Sequence, residues 1–442
     1  MENFVHRMRR KSLATKLGKH GIAFILGARA QTRNDDVEYP FRQSSNMLYL
    51  TNFSEPDALL VITGGKRGRS ILFSRPKDET QETWTGKRLG QDGARKTLGV
   101  DEAYSCEAPE EVADIICALL SGCETVYFPT APESNNGIIP LHSLIEAHRK
   151  TSPSRVLHLD VCALLAEFRL IKDEAEVGIM RSGIAISANM HRMLLEKVRP
   201  GMKESDLEAE IAYYLRKNGS DRLGAYPSIV AAGANACTLH YTENNCVIAS
   251  GDLVLVDAGG EWDGYASDIT RTFPANGVFS PPQRALYSIV LKAQKAAIAM
   301  ISPGVSFYEV HKVAMLALCQ GLLELGIIHA PNPRRAFEAE LHKPYTIHST
   351  SHWLGLDVHD AGDYQRNDKQ LAMRKLEPGM VLTVEPGIYV TKKADVPDIY
   401  RSIGIRIEDD VLVTVDGNDV LSKEAPKEID EIEDAMLGTR FF

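Results

Sequence analysis

Hydrophobic and polar positions change period along the chain, and each change marks an element. Residues 4–17 place apolar side chains at helical spacing among Arg7, Arg9, Arg10 and Lys11, which predicts a basic amphipathic helix. The unbroken apolar run Gly21-Ile22-Ala23-Phe24-Ile25-Leu26-Gly27 reads as a buried strand and is too short to span a bilayer. Further strands are predicted over 48–53, 58–62, 70–73 and 125–128, with a helix over 111–120. The polar stretches 33–36 and 84–92 read as loops. Residues 1–172 therefore form an α/β domain. Past Lys172 the pattern changes. Asp173 and Glu176 have capping-box spacing and open a long helix over 174–198, which Pro200-Gly201 ends. A second helix over 205–217 stops at Asn218-Gly219. Short strands follow to about residue 274, so 173–442 reads as an α+β domain.

That second domain repeats itself. Pro200-Gly201, four residues and then Asp206-Leu207 recur as Pro303-Gly304, four residues and Glu309-Val310. Gly251-Asp252-Leu253-Val254-Leu255-Val256-Asp257 recurs as Gly379-Met380-Val381-Leu382-Thr383-Val384-Glu385. In each copy glycine opens a strand, apolar residues fill it and a carboxylate closes it. The shared order predicts an internal duplication about a pseudo-two-fold axis, which brings Asp257 and Glu385 together.

The candidate chemistry lies where the pattern fits a core badly. His348, His352 and His359 place three of the thirteen histidines within twelve positions, around the short apolar run Trp353-Leu354-Gly355-Leu356. Such a segment makes a poor core strand and a good wall for a site. Gly259-Gly260 permits a turn after Asp257, and a returning hairpin can set Asp268 beside it. In Ile405-Arg406-Ile407-Glu408 the alternation points Arg406 and Glu408 the same way. Asp257, Asp268, Glu385 and Glu408 thus sit on or beside apolar strands. Desolvating four carboxylates without cations is very costly. Each alone could be paired with a base or exposed at a strand end; all four together argue for metal. With His352 they make four oxygen donors and one imidazole, a set suited to two divalent ions. Oxygen-rich coordination favours Mn(II), with Co(II) or Zn(II) as possible occupants.

Composition narrows the reading. A chain of 442 residues exceeds the usual limit of one core, and 44 % hydrophobic with 25 % charged residues fits an ordinary globular protein. A net charge of −9 disfavours nucleic acid as a partner. The seven cysteines form no C-x-x-C pair, which points away from a zinc ribbon or disulfide framework and towards a reducing compartment. The basic N-terminus shows no secretory pattern, and no membrane partner is expected. The cytoplasm is the expected location. Trp84 lies in a polar stretch, which suggests either an interface or local packing.

The motifs Leu239-His240-Tyr241-Thr242, Asp257-Ala258-Gly259, Ser267-Asp268-Ile269-Thr270-Arg271, Ser351-His352-Trp353-Leu354-Gly355, Thr383-Val384-Glu385-Pro386-Gly387 and Gly404-Ile405-Arg406-Ile407-Glu408 together resemble the pita-bread metallopeptidases: methionine aminopeptidase, prolidase and aminopeptidase P. The similarity covers most of the chain. Arg33-Asn34-Asp35-Asp36, residues 38–43 and Arg88-Leu89-Gly90-Gln91-Asp92 favour the aminopeptidase P (Xaa-Pro aminopeptidase) branch. One departure is Ser349, where some members carry glycine.

The resemblance implies an N-terminal domain that shapes the substrate site and assembles the protein, followed by a pita-bread catalytic domain. It implies release of the first residue from peptides with proline second, by attack of a hydroxide bridging two metals held by Asp257, Asp268, His352, Glu385 and Glu408. Glu385 would also shuttle the proton. His240, His348 and His359 would bind and polarise substrate, Arg406 would orient a ligand such as Asp257, and Tyr389 and Trp84 would add substrate contacts. A dimer or tetramer is implied. The alternatives are a prolidase acting on Xaa-Pro dipeptides and a non-catalytic peptide-binding relative.

Overall fold

The computed structural model describes residues 2–130, 139–151, 156–365 and 373–438. They divide into two compact units, Met1–Phe168 and Arg169–Phe442.

The first unit is built on a mixed six-stranded sheet. Its strands are β1 (Gly21–Leu26), β4 (Leu59–Thr63), β5 (Ser70–Ser74), β6 (Glu102–Ser105), β7 (Thr125–Phe128) and β8 (Leu157–Asp160), in the order β6-β5-β4-β1-β7-β8. The remaining strands, β2 (Thr32–Asn34) and β3 (Val37–Glu38), form a small hairpin where a loop was expected. The predicted strand over 48–53 is instead a helix, Ser45–Thr51, ended by Asn52 in the left-handed region (φ 55°). A helix end leaves carbonyls without partners. Here the basic helix Glu2–Leu17 supplies them: Arg9 donates to the Tyr49 carbonyl at 3.2 Å and Arg10 to that of Leu50 at 2.8 Å. Tertiary capture of those carbonyls outweighs the β-like apolar run. The stretch 84–92 is likewise not a loop throughout. Trp84 belongs to the helix Glu79–Thr85, capped by Asp78, and a second helix starts at Gly90.

In the second unit the predicted capping box forms, with reciprocal bonds between Asp173 and Glu176 of 2.9 and 3.0 Å at the head of the helix Glu174–Lys197. Its strands are β9 (Ile229–Ala232), β10 (Leu253–Asp257), β11 (Glu261–Trp262), β12 (Tyr265–Ala266), β13 (Thr270–Pro274), β14 (Val381–Val384), β15 (Gly387–Val390), β16 (Ile403–Arg406), β17 (Asp409–Val413) and β18 (Asn418–Val420). The duplicated order is visible. The helices Glu174–Lys197 and Glu204–Lys217 precede the sheet β13-β10-β9, and Pro281–Met300 and Phe307–Glu324 precede β14-β17-β18. Backbone bonds across the halves run from Glu408 N to the Thr270 carbonyl (3.1 Å), and the Thr272 hydroxyl donates to the Arg406 carbonyl (2.9 Å). These seams place the acid-bearing strand ends of both halves side by side. No helix among the described residues is long and apolar enough to cross a membrane.

Candidate metal centre

Sequence places the acids at strand ends; glycines let those ends meet. A Cβ at Gly259 would lie 1.9 Å from the Ser267 carbonyl, so only glycine lets the returning chain bring Asp268 back to Asp257. The Tyr226 hydroxyl lies 2.6 Å from an oxygen of each acid. Arg406 donates to the other oxygen of Asp257 at 2.6 Å and to the Thr270 hydroxyl at 3.0 Å, and that hydroxyl donates to Glu408 at 2.6 Å. Arg406, at the end of β16, and Glu408, two residues on, therefore share the Thr270 hydroxyl as a partner, consistent with side chains that point the same way. Asp268, His352 and Glu408 offer donor atoms all within 4.8 Å of one another.

The histidine segment is more strand-like than its composition suggests. Leu354 N donates to Val381 O, Thr383 N to His352 O and Glu385 N to Thr350 O, at 3.0, 3.0 and 2.7 Å, so 350–354 runs along β14 as an irregular edge. Its far end is pinned by buried Asp360, which accepts from Lys172 and Arg169. His352 Nδ1 lies 3.0 Å from its neighbour's carbonyl, Trp353 O, and must be the N–H. That leaves Nε2 facing Asp268 (3.3 Å) and Glu385 (3.6 Å). The His359 ring is 4.1 Å from the His352 ring.

His348 is committed on both nitrogens. Nδ1 meets the Ser349 carbonyl at 2.8 Å and Nε2 the Tyr389 hydroxyl at 2.7 Å, while Arg406 donates to that hydroxyl at 2.9 Å. Tyr389 is both core and site: 1 % exposed, yet tied to Arg406 and His348.

The exposed His240 sits on a loop built around buried Glu204. That carboxylate accepts from Ala232 N, Asn235, the Tyr241 hydroxyl and Cys246 N at 2.8–2.9 Å. Asp257, Asp268, His352, Glu385 and Glu408, with His240, His348, His359 and Arg406, line one cavity of about 660 Å³, together with Phe307, Tyr308, His311 and Tyr364. Trp84 is 82 % exposed and lies in the other unit, outside that lining.

Sequence reasoning missed Tyr226 and His311. Neither shows in a motif: Tyr226 lies in an aperiodic stretch, and His311 looks like a polar interruption in the apolar helix Phe307–Glu324.

Electrostatics tests whether this donor set fits a cation. Burial, with Asp268, Glu385 and Asp257 beside it, pushes the Glu408 carboxyl well up. Burial lifts Glu385 to about 7 despite His352 and Arg406, and raises Asp257 against the pull of Arg406. Burial opposes the charge on His352, but Asp268 and Glu385 overcome it and raise the imidazole to about 9. Asp268 is lowered because His352 outweighs its own desolvation. Four acids share a pocket with one guanidinium and one proton-holding imidazole. Hard oxygen donors with surplus negative charge and an imidazole oriented by a carbonyl are what a divalent ion needs. The residues fit.

Fold and site together define a metal-dependent hydrolase on a duplicated scaffold. The metallopeptidase family M24 model matches residues 178–415, and the aminopeptidase P N-terminal domain model matches 6–127. The chain is 41 % identical to the Xaa-Pro aminopeptidase of Escherichia coli K12, over 98 % of this chain and 97 % of that one. It is 38 % identical to human Xaa-Pro aminopeptidase 3, over 90 % and 78 %. An E. coli aminopeptidase P variant solved in complex with substrate superposes with a TM-score of 0.93 at 40 % identity, covering 100 % and 99 % of the two chains. A zinc-substituted form of that enzyme, solved with product, matches equally well. The chain belongs to metallopeptidase family M24, in the two-domain aminopeptidase P arrangement.

Proposed function

We propose that this enzyme is an Xaa-Pro aminopeptidase, releasing the first residue of peptides whose second residue is proline. One observation carries the reading: all five candidate ligands, with His240, His348, His359 and Arg406, line a single cavity in a chain of this family. Asp257, Asp268, His352, Glu385 and Glu408 would hold two divalent ions, Mn(II) being favoured by the oxygen-rich set, with Co(II) or Zn(II) as possible occupants. Such ions supply Lewis acidity and lower the pKa of water.

The chain's own residues do the rest. Glu385 can take a proton from the attacking water and pass it to the leaving nitrogen. Proline's amide nitrogen carries no hydrogen, so the site must accept a substrate without that donor. His240 and His359, on the exposed side of the cavity, bind the chain and polarise the scissile carbonyl. His348 reaches substrate by giving up one of its two protein bonds. Arg406 fixes Asp257, and Tyr389 relays that hold to His348.

Residues 1–172 act in shaping the substrate site and in assembly, as a dimer or tetramer in which Trp84 contacts a neighbour or its substrate. Peptides are the partners, without nucleic acid or membrane. The cytoplasm suits the seven cysteines, all free in the structure. The test compares Xaa-Pro-Yaa tripeptides with Xaa-Pro dipeptides, with added Mn(II) and after chelation. Tripeptide cleavage lost on chelation supports the reading. Dipeptide cleavage alone makes the enzyme a prolidase, and peptide binding without cleavage makes it a non-catalytic relative.

A further inference from the structure

A fifth histidine lines the cavity, on a helix that carries none of the candidate ligands. His311 projects from the helix Phe307–Glu324, and its Nδ1 lies 2.8 Å from the Thr350 hydroxyl. Thr350 is fully buried, and its carbonyl accepts the Glu385 N–H at 2.7 Å. This is the last rung of the irregular pairing along β14. Beyond it the chain leaves the strand, and Ser349 and His348 face the cavity. The two rungs behind are secured twice over. His352 N donates to the Thr383 hydroxyl at 3.1 Å, and Trp353 bridges Leu382. Among the described residues, the side chain that anchors Thr350 at the Glu385 rung is His311.

The helix is itself held close. Phe307 packs on Trp353 at 4.7 Å and on Tyr364 at 4.8 Å between ring centroids, so the first turn of the helix grips the same segment at Trp353. His311, one turn on, grips it at Thr350. We propose that His311 is a positioning residue: through Thr350 it fixes the backbone from which the Glu385 carboxylate projects, without touching the reacting atoms. This rests on the role given to Glu385 above.

Two readouts test it. Hydrogen exchange is followed in the peptide covering 381–388. His311→Ala should speed exchange of the Glu385 amide about tenfold, the worth of one hydrogen bond, and leave the rest of β14 unchanged. Kinetics with an Xaa-Pro-Yaa tripeptide form the second. His311→Ala and Thr350→Val should each lower kcat about 10- to 100-fold at constant KM and full metal content, and the double variant should lose no more than the worse single one. His311→Gln, which can still bond the hydroxyl, should recover most of the loss. If His311→Ala does not fold, Thr350→Val and His311→Gln carry both readouts.

Unchanged exchange at Glu385 overturns the proposal. So do losses that multiply in the double variant, losses confined to KM, or metal lost in step with activity. An inactive wild-type enzyme would reject the functional reading instead, and the exchange readout would still decide the role of His311.

Discussion

Glu408 and Asp409 are neighbours in sequence and equally hidden from water, yet their carboxyls move in opposite directions. Asp409 opens β17 and is matched on every side. Arg271 reaches one oxygen at 2.7 Å, with the Ser422 hydroxyl on the same atom, while Gln294 and Lys427 hold the other. Burial alone would raise it, but the two cations win and hold it well below the usual carboxylate range. Glu408 faces the other way. Its side-chain partner is the Thr270 hydroxyl; burial, reinforced by the acids around it, pushes its carboxyl up. The contrast separates two uses of a buried acid. Asp409, like Asp360 between Arg169 and Lys172, is neutralised by the chain itself and locks structure. Glu408 is left in surplus, and such a cluster is stable as carboxylates only when cations come from outside.

The strongest way to break this contrast is Glu408→Ala. If Glu408 is a ligand, metal content and tripeptide hydrolysis should fall together to background. An active variant stripped of metal would sink the assignment. Its counterpart is Arg271→Met, which leaves Asp409 with Lys427 as its remaining cation among the described residues. The expected cost is about 3–5 kcal/mol of stability in the metal-free protein, read by urea unfolding. A loss below about 1 kcal/mol would show that Asp409 is not the lock described.

Between these lie the imidazoles. His240→Ala and His359→Ala should keep near-normal metal content while losing about 10²–10³ in kcat/KM. Should His359→Ala shed metal in step with activity, its 4.1 Å contact with His352 reflects a shared ion and His359 joins the ligands.

The two acids also differ in how far they can be read from sequence. Glu408 follows an alternating strand and belongs with other strand-end acids, so pattern alone marks it. Asp409 needs Arg271, Lys427, Gln294 and Ser422, which stand up to 138 positions away and carry no local signal. Tyr226 and His311 are hidden for the same reason, since a single side chain reaching into a cavity leaves no periodicity. The helix Ser45–Thr51 was illegible because Arg9 and Arg10, not its own residues, satisfy its last carbonyls. The duplication, with Asp257 and Glu385, was legible because each copy spells glycine, apolar strand and acid in order; Asp268, Glu408 and His352 stood out through a hairpin turn, strand alternation and a histidine-rich segment.

The smallest expected effect concerns a group behind the Asp257 strand end. His191, on the helix Glu174–Lys197, is 1 % exposed and bonds the Ala258 carbonyl at 2.9 Å, one residue past Asp257. Burial drives its imidazole down to about 4, against an ordinary value of about 6.5. The sign follows from proton counts. Between pH 6.5 and 4 the unfolded chain binds a proton at this position and the folded chain does not, so stability is complete above about 6.5 and declines as pH falls towards 4. The shift corresponds to about 3 kcal/mol across that window. Urea unfolding of the metal-free protein at a series of pH values, set beside His191→Gln, isolates this part, because glutamine can still donate to the carbonyl but does not titrate. The wild-type curve should fall more steeply than the variant's below pH 6.5. Parallel curves would mean that His191 keeps its ordinary proton affinity, and that the ground under the Asp257 strand end is wetter than its burial implies.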